Sequence, residues 1–106
     1  MLSFIIPAYN GALLRGRTIQ SIHDAARALG VAYEIVVADD ASTDRTPEIA
    51  AAGGARVVTV SNRQIAATRN AGARAAGGDR FVFIFERREG LEMWYDHRRR
   101  DPDERG

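Results

Sequence analysis

The most informative stretch for the fold is residues 34–44, which read Glu-Ile-Val-Val-Ala-Asp-Asp-Ala-Ser-Thr-Asp. A short apolar run ends abruptly at Asp39 and Asp40, and small and hydroxyl residues follow before a third carboxylate, Asp44. Apolar runs of this length are typical of strands that are buried on both faces of a parallel sheet. Open α/β sheets bind their ligands at the carboxyl ends of such strands. The stretch therefore predicts a buried strand that leads directly into a binding site.

The bulk composition indicates one small folded domain. The chain has 106 residues, of which 45% are hydrophobic, and this is enough for a core. The net charge of +1 gives no indication of a nucleic-acid partner, and the absence of cysteine excludes disulfides and thiolate metal sites. The start of the chain lacks the basic residues of a signal peptide, and no run approaches the roughly 18 apolar residues of a transmembrane segment. We therefore expect a cytoplasmic protein without a transmembrane segment.

Apolar runs and helical periodicities alternate along the chain as far as Phe85. We predict strands over about 2–7, 33–38, 56–60 and 80–85, and helices over about 13–29, 46–52 and 64–76. Pro7 should end the first strand because proline cannot donate to a central ladder, and residues 39–45 should form a loop. Short connections in this order imply right-handed crossovers. The predicted fold class is α/β, a Rossmann-like parallel sheet of about four strands with alternating helices.

The sequence changes character after Phe85. Thirteen of the twenty-one residues from Glu86 to Gly106 are charged, and the apolar residues among them follow no sustained period. Charge-dense segments of this kind are usually disordered or form solvated helices. We therefore divide the chain into a folded unit, residues 1–85, and a charged tail, residues 86–106, which we expect to be disordered or aberrant.

Asp39 and Asp40 are the first candidates for ligand binding. Adjacent side chains on an extended or turning backbone point in different directions, so one carboxylate can face a ligand while the other orients the loop. A carboxylate at a strand end is suited to accept hydrogen bonds from a nucleobase imide or a ribose hydroxyl. Aspartate also forms turns, and Ser42 fits a turn that leads into the next helix, so a structural role stays open.

Two further groups of residues are candidates. Pro7, Ala8 and Tyr9 come at the end of the first strand, on the same sheet edge as Asp39, and Tyr9 could stack on a base. Arg69 lies in the third predicted helix among small residues that allow close approach, and arginine recognises phosphate with a bidentate fork. A packed tyrosine and a solvated arginine are the alternatives.

Three stretches, taken together, resemble the N-terminal, donor-binding half of family 2 glycosyltransferases. They are residues 3–10 (Ser-Phe-Ile-Ile-Pro-Ala-Tyr-Asn), residues 34–44, and residues 67–72 (Ala-Thr-Arg-Asn-Ala-Gly). The resemblance covers residues 2–85 and implies part of the GT-A fold of nucleotide-diphospho-sugar transferases. It implies inverting transfer of a sugar to an acceptor hydroxyl, with a UDP-sugar as the expected donor.

The resemblance also implies a role for each matching residue. The residues that it assigns to the nucleotide are Pro7, Ala8, Tyr9, Asp39, Asp40, Ser42 and Arg69. Asp39 would bind a uracil-type base, Asp40 and Ser42 would shape the loop beneath the nucleotide, and Arg69 would lie near the base or diphosphate. In the family an Asp-x-Asp motif after the fourth strand holds a divalent metal, Mg²⁺ or Mn²⁺, which neutralises the departing diphosphate.

The sequence departs from the family at this metal motif. Phe85-Glu86-Arg87 stands where Asp-x-Asp is expected, which leaves Glu86 as a weak candidate metal ligand and puts a positive charge at a ligand position. No catalytic base is identifiable, so the catalytic residues are unknown. All fifteen basic residues are arginine and the tail is rich in them. We therefore expect the residues from about Phe85 onward to be a frame-shifted or truncated end of a longer gene, and activity to be reduced or absent.

Two other functions remain open. The chain could be a non-catalytic module that binds a nucleotide without metal, or another nucleotide-using α/β enzyme such as a nucleotidyltransferase. The second alternative predicts a glycine-rich basic loop after the first strand. Residues 10–12 (Asn-Gly-Ala) contain only one glycine and no basic residue, so they do not match such a loop. Because a four-stranded half-sheet leaves an apolar edge, we also expect a tendency to self-association.

Overall fold

The structure is a computed structural model that describes residues 1–10, 12–87 and 90–96. Strands and helices alternate in the described residues and are followed by one further strand. In chain order they are β1 (Leu2–Ala8), α1 (Ala12–Leu29), β2 (Tyr33–Asp40), α2 (Thr46–Ala52), β3 (Arg56–Val60), α3 (Ile65–Ala75), β4 (Arg80–Arg87) and β5 (Gly90–Asp96).

The strands form a single sheet in the order β3-β2-β1-β4-β5. Strands β1 to β4 pair in parallel, which confirms the predicted α/β sheet with alternating helices. From β1 the chain builds β2 and β3 on one side and then crosses to β4 on the other side. This reversal at β1 is a topological switch point, where open α/β sheets form their ligand crevice.

The sheet has one strand more than the sequence predicted, and that strand is antiparallel. Strand β5 pairs with β4 from Phe81↔Asp96 to Arg87↔Gly90. Only two residues separate the strands in the sequence, and a connection this short joins antiparallel neighbours. Residues 90–96 were assigned to the charged tail, so the regular structure extends further than expected. Of the tail's other residues, 86 and 87 belong to β4, and 88, 89 and 97–106 lie outside the described residues.

Strand β5 is an edge of the sheet and exposes large apolar side chains. The exposed residues are Leu91, Met93, Trp94 and Tyr95. An edge of this kind can pair with another chain, so self-association stays a prediction.

Strand β1 continues through Pro7, which was expected to end it. Its ladder to β4 ends at Ile5↔Phe83, two residues before the proline, while its ladder to β2 continues to Ala8↔Asp39. Pro7 therefore lies beyond the part of β1 that is paired on both sides, where a missing N–H group is tolerated.

The core lies on both faces of the sheet, because successive side chains of a strand point to opposite faces. Ile6 packs with Ile19 and Ile22 of α1 on one face, and Ile5 packs with Ala76 and Phe81 on the other. The helices thus cover both faces of the central strands, and the polar residues that follow these strands are left at their carboxyl ends.

A polar network fixes the opposite, amino end of the sheet. Glu34 Oε2 accepts hydrogen bonds from Ser3 Oγ and from the Gly77 backbone N–H, both at 2.6 Å. Its Oε1 lies 3.2 Å from Nη2 of Arg56. Burial raises the pKa of Glu34, but the hydrogen bonds from Ser3 and Gly77 and the charge of Arg56 outweigh it, so the pKa lies below its ordinary value.

This network predicts acid-sensitive stability. Because the pKa of Glu34 is lowered in the folded state, its stabilising effect is complete above the ordinary carboxyl pKa and is lost as the pH falls through the lowered value. Glu34→Gln should be less stable than the wild type at neutral pH, and the difference between the two should shrink in acid. Urea unfolding of both proteins between about pH 3 and pH 7 measures this. A constant difference over that range would contradict the prediction.

Candidate functional site

A cavity of about 460 Å³ opens at the carboxyl ends of β1, β2 and β3, beside the start of α3. We call it the main cavity, and it is lined by Pro7, Ala8, Tyr9, Asp40, Ala41, Thr43, Ser61, Arg63, Gln64, Ile65 and Thr68. Four of the predicted site residues are among these: Pro7, Ala8, Tyr9 and Asp40. The side chain of Tyr9 is 62% exposed, so its ring is free to meet a ligand at the rim.

Asp40 is the carboxylate that faces the main cavity. It is the last residue of β2 and is only 8% exposed. Its Oδ1 accepts a hydrogen bond from the Asn62 backbone N–H at 2.7 Å, which fixes the side chain to the loop after β3. The other oxygen, Oδ2, accepts no hydrogen bond from the described residues. Asp40 therefore offers a fixed acceptor to a ligand.

Asp39 has a different position from the one the sequence indicated. We expected it in an exposed loop, but β2 continues through Asp40 because β3 pairs with both aspartates, Asp39 with Thr59 and Asp40 with Val60. Asp39 is 1% exposed and accepts hydrogen bonds from Ser42, from Oγ at 2.5 Å and from the backbone N–H at 3.1 Å. Both of its oxygens are thus used inside the protein, and it does not line the main cavity.

Ser42 connects Asp39 to the loop after β1. Its Oγ accepts a hydrogen bond from the Asn10 backbone N–H at 2.9 Å while it donates to Asp39. Oδ1 of Asn10 in turn accepts from the backbone N–H groups of Thr43 at 2.9 Å and Asp44 at 3.3 Å. Ser42 therefore links the loops after β1 and β2, and the buried Asp39 anchors both of these loops, which border the cavity.

Three non-glycine residues around the main cavity have left-handed backbone conformations. Asn10, Ala41 and Arg63 have φ angles of 46°, 52° and 52°. Such angles cost free energy for residues other than glycine, and they concentrate at binding sites where the surrounding structure enforces them. One lies in the loop after each of the strands β1, β2 and β3, so all three loops are held in specific shapes.

Helix α3 brings its N-terminus to the main cavity. Gln64 at the N-cap and Ile65 at the first helical position both line the cavity, and Gln64 forms no capping hydrogen bond through its side chain within the described part of the chain. The backbone N–H groups of the first turn and the positive end of the helix dipole can therefore attract an anion. Arg63, exposed and next to the N-cap, adds a positive charge.

Sequence reasoning missed Thr68, which lines the main cavity from α3 and is 2% exposed. It is a hydroxyl residue in a segment of alanines, and this contrast was the available signal.

The structure does not bring Arg69 to the main cavity. It follows Thr68 on α3, so its side chain projects about 100° further around the helix. There it lines a smaller cavity of about 170 Å³ with residues of β4 and β5, and its Cζ lies 5.7 Å from the centre of the Phe83 ring. Its Nη2 donates to Asn70 Oδ1 at 3.1 Å. The phase of the helix thus separates Arg69 from Asp40.

The described residues contain no cluster of side chains that would hold a divalent metal without a contribution from a ligand. No three histidine, aspartate or glutamate side chains among them lie close enough to share an ion. Glu86, the weak candidate ligand, accepts a hydrogen bond from Thr18 Oγ1 at 2.5 Å and does not line the main cavity. Its position on β4 directs it toward α1 because it is two residues from Ile84, which packs on that face.

Comparison with known families and proteins gives a consistent result. The model of the family described as glycosyl transferase family 2 matches residues 3–85. Validoxylamine A glucosyltransferase of Streptomyces hygroscopicus subsp. jinggangensis is 34% identical over 90 residues, which cover 79% of this chain and 21% of that protein. Succinoglycan biosynthesis protein ExoO of Rhizobium meliloti is 37% identical over 89 residues, which cover 80% and 24%. The chain thus spans about a fifth to a quarter of the length of these relatives.

Solved structures show the same architecture. Mannosyltransferase PcManGT from Pyrobaculum calidifontis, solved with GDP-Man and Mn²⁺, has a TM-score of 0.65 and 30% identity over 79% of this chain and 26% of that one. Glucosyl-3-phosphoglycerate synthase from Mycobacterium tuberculosis, solved with Mn²⁺, UDP and glucosyl-3-phosphoglycerate, has a TM-score of 0.60 and 31% identity over 80% of this chain and 33% of that one.

Within the described residues, no helix has the length and apolarity needed to cross a membrane.

Proposed function

Because the chain belongs to glycosyl transferase family 2, we propose that its main cavity binds the nucleotide of a nucleotide-diphospho-sugar donor. The observation that carries the proposal is Asp40, a nearly buried carboxylate with one oxygen fixed by Asn62 and the other open to a ligand. Such a group sits at the carboxyl end of a parallel strand, beside an exposed aromatic ring, where nucleotides bind in α/β sheets.

The base lies between Tyr9 and Asp40 in this proposal. Tyr9 supplies a ring on which a base can stack, and Pro7 and Ala8 supply an apolar wall. A carboxylate accepts hydrogen bonds, so it favours a base that presents an N–H group, such as N3–H of uracil or N1–H of guanine. Cytosine and adenine carry a bare acceptor nitrogen at the equivalent position. Two similar solved proteins contain UDP and GDP-Man, which supports this preference.

The diphosphate lies at the start of α3. The first turn of this helix has backbone N–H groups without a side-chain cap within the described residues, and Arg63 adds a positive charge beside them. Helix N-termini are favourable sites for phosphate groups for this reason. Arg69 is not assigned to the diphosphate here, because it lines the neighbouring smaller cavity.

For the whole protein, the proposed reaction is inverting transfer of the sugar to an acceptor hydroxyl. The described residues supply the donor-binding part of that reaction. A second candidate is a nucleotide-binding module that transfers nothing, and it is favoured by the lack of a carboxylate or histidine cluster for metal among the described residues. For the same reason, the proposal contains no step that depends on a metal ion.

Isothermal titration calorimetry with UDP, GDP and CDP, each with and without Mn²⁺, tests the proposal. We expect UDP or GDP to bind and CDP to bind more weakly. Metal-dependent binding together with turnover of a UDP-sugar would favour the transferase, and binding that is indifferent to Mn²⁺ would favour the module. If a folded sample binds none of the three nucleotides, the proposed site is wrong.

A further inference from the structure

The hydroxyl of Thr68 is buried without a hydrogen-bond partner among the described residues. Buried polar groups in folded proteins are almost always satisfied, so an exception next to a cavity needs a physical explanation. The side chain of Thr68 is only 2% exposed, and the residue lines the main cavity together with Asp40.

A threonine inside a helix has a simple way to satisfy its hydroxyl, which is to donate to the carbonyl four residues earlier. Here that carbonyl belongs to Gln64, and it accepts the Thr68 backbone N–H at 3.0 Å while the Thr68 hydroxyl stays unsatisfied. No described residue supplies a partner for this hydroxyl, and Thr68 borders the main cavity, so a molecule bound there can supply one.

We propose that Thr68 determines specificity in the main cavity by donating a hydrogen bond to a carbonyl of the bound base. The inference rests on the proposed function and extends it, because it adds a second polar contact to the one from Asp40. Uracil and guanine present an N–H group directly beside a C=O group. A carboxylate on β2 and a hydroxyl on α3 form the complementary pair of acceptor and donor, since a hydroxyl hydrogen rotates to suit its partner.

The test compares Thr68→Val, which keeps the shape and removes the hydroxyl, with Thr68→Ser, which keeps the hydroxyl. Calorimetry with UDP should show binding to Thr68→Val weakened roughly 5- to 10-fold, the loss expected for one neutral hydrogen bond, and binding to Thr68→Ser within about 2-fold of wild type. Thermal unfolding without nucleotide should show Thr68→Val at least as stable as wild type, because the hydroxyl has no partner to lose.

Two sulfur analogues, 2-thio-UDP and 4-thio-UDP, identify the acceptor on the base. Sulfur is a weak hydrogen-bond acceptor, so wild type should bind one of the analogues more weakly than UDP. Thr68→Val should lack this difference, because it cannot donate to either atom.

Each contrary result has a distinct meaning. If Thr68→Val binds UDP as tightly as wild type, the role of Thr68 is wrong while the proposed function stands. If Thr68→Val fails to fold, or unfolds at a lower temperature without nucleotide, the hydroxyl has a partner inside the protein and the inference is wrong. If wild type binds neither UDP nor GDP, the proposed function and this inference both fail.

Discussion

Replacing Asp40 with asparagine is expected to weaken UDP binding about 30- to 150-fold and to leave the fold intact. The carboxamide oxygen can still accept the hydrogen bond from the Asn62 backbone N–H, so the loop after β3 keeps its anchor. The second oxygen becomes an NH₂ group, which cannot accept from N3–H of uracil. Losing a hydrogen bond to a charged group costs about 2–3 kcal/mol, and each 1.4 kcal/mol is a factor of ten in affinity.

The same substitution should change base preference. The new NH₂ group can donate to the bare N3 acceptor of cytosine, so Asp40→Asn should bind CDP better relative to UDP than wild type does. The ratio of the two dissociation constants, measured by calorimetry, is the readout. Unchanged UDP affinity in a folded Asp40→Asn protein would show that the base does not contact Asp40.

Asp39→Asn is the matched control, because it makes the same chemical change one residue away. Asp39 uses both oxygens to hold Ser42, so losing one acceptor should lower the free energy of unfolding by about 1–3 kcal/mol. The preference for UDP over CDP should not change, since Asp39 does not line the main cavity. If Asp39→Asn alters base preference and Asp40→Asn does not, the roles of the two aspartates are reversed.

Gly72→Ala is expected to destabilise the fold and to weaken nucleotide binding. A Cβ atom at position 72 would lie 2.7 Å from Ile5 Cγ2 and 3.2 Å from Ala38 Cβ, so α3 would have to move away from β1 and β2. Overpacking of this kind costs about 1–3 kcal/mol, which equals or exceeds the gain of roughly 1 kcal/mol from replacing glycine in a helix. Because α3 carries Thr68 and faces Asp40 across the main cavity, a shifted helix should also lower UDP affinity.

Gly16→Ala is the control for the backbone effect of the substitution. Gly16 is also inside a helix, but its Cβ would lie 3.7 Å from Ile49 Cγ2, an ordinary contact distance. This variant should be as stable as wild type or more stable by up to about 1 kcal/mol. Thermal unfolding measures the stability of both variants relative to wild type, and each kcal/mol should shift the unfolding temperature by about 4–8 °C for a domain of this size. Equal unfolding temperatures for Gly72→Ala and wild type would mean that α3 does not pack this closely on the sheet.

The fold was predictable because its signals are local. The apolar run 35–38 and the runs around Ile5 and Val82 are strands that need cover on both faces. Helical patterns between these runs make a parallel sheet the consistent arrangement. Strand β5 was missed because the short alternation of Leu91, Met93 and Tyr95 with polar residues is interrupted by Trp94 and lies in a segment dominated by charge. That segment pairs with β4 through the backbone, and backbone pairing leaves little trace in the types of side chain.

The end of the sheet that carries the site could be read from the sequence, because polar residues follow the apolar runs of β1 and β2 directly. The role of each residue within the site became clear only from the packing of the helices and strands. The register between β2 and β3 buries Asp39 against Ser42 and turns Asp40 to the main cavity. The rotation of α3 turns Thr68 to the main cavity and Arg69 away from it. Both depend on how separate elements pack, and a difference of one residue reverses the face of a strand or turns a helical side chain by about 100°.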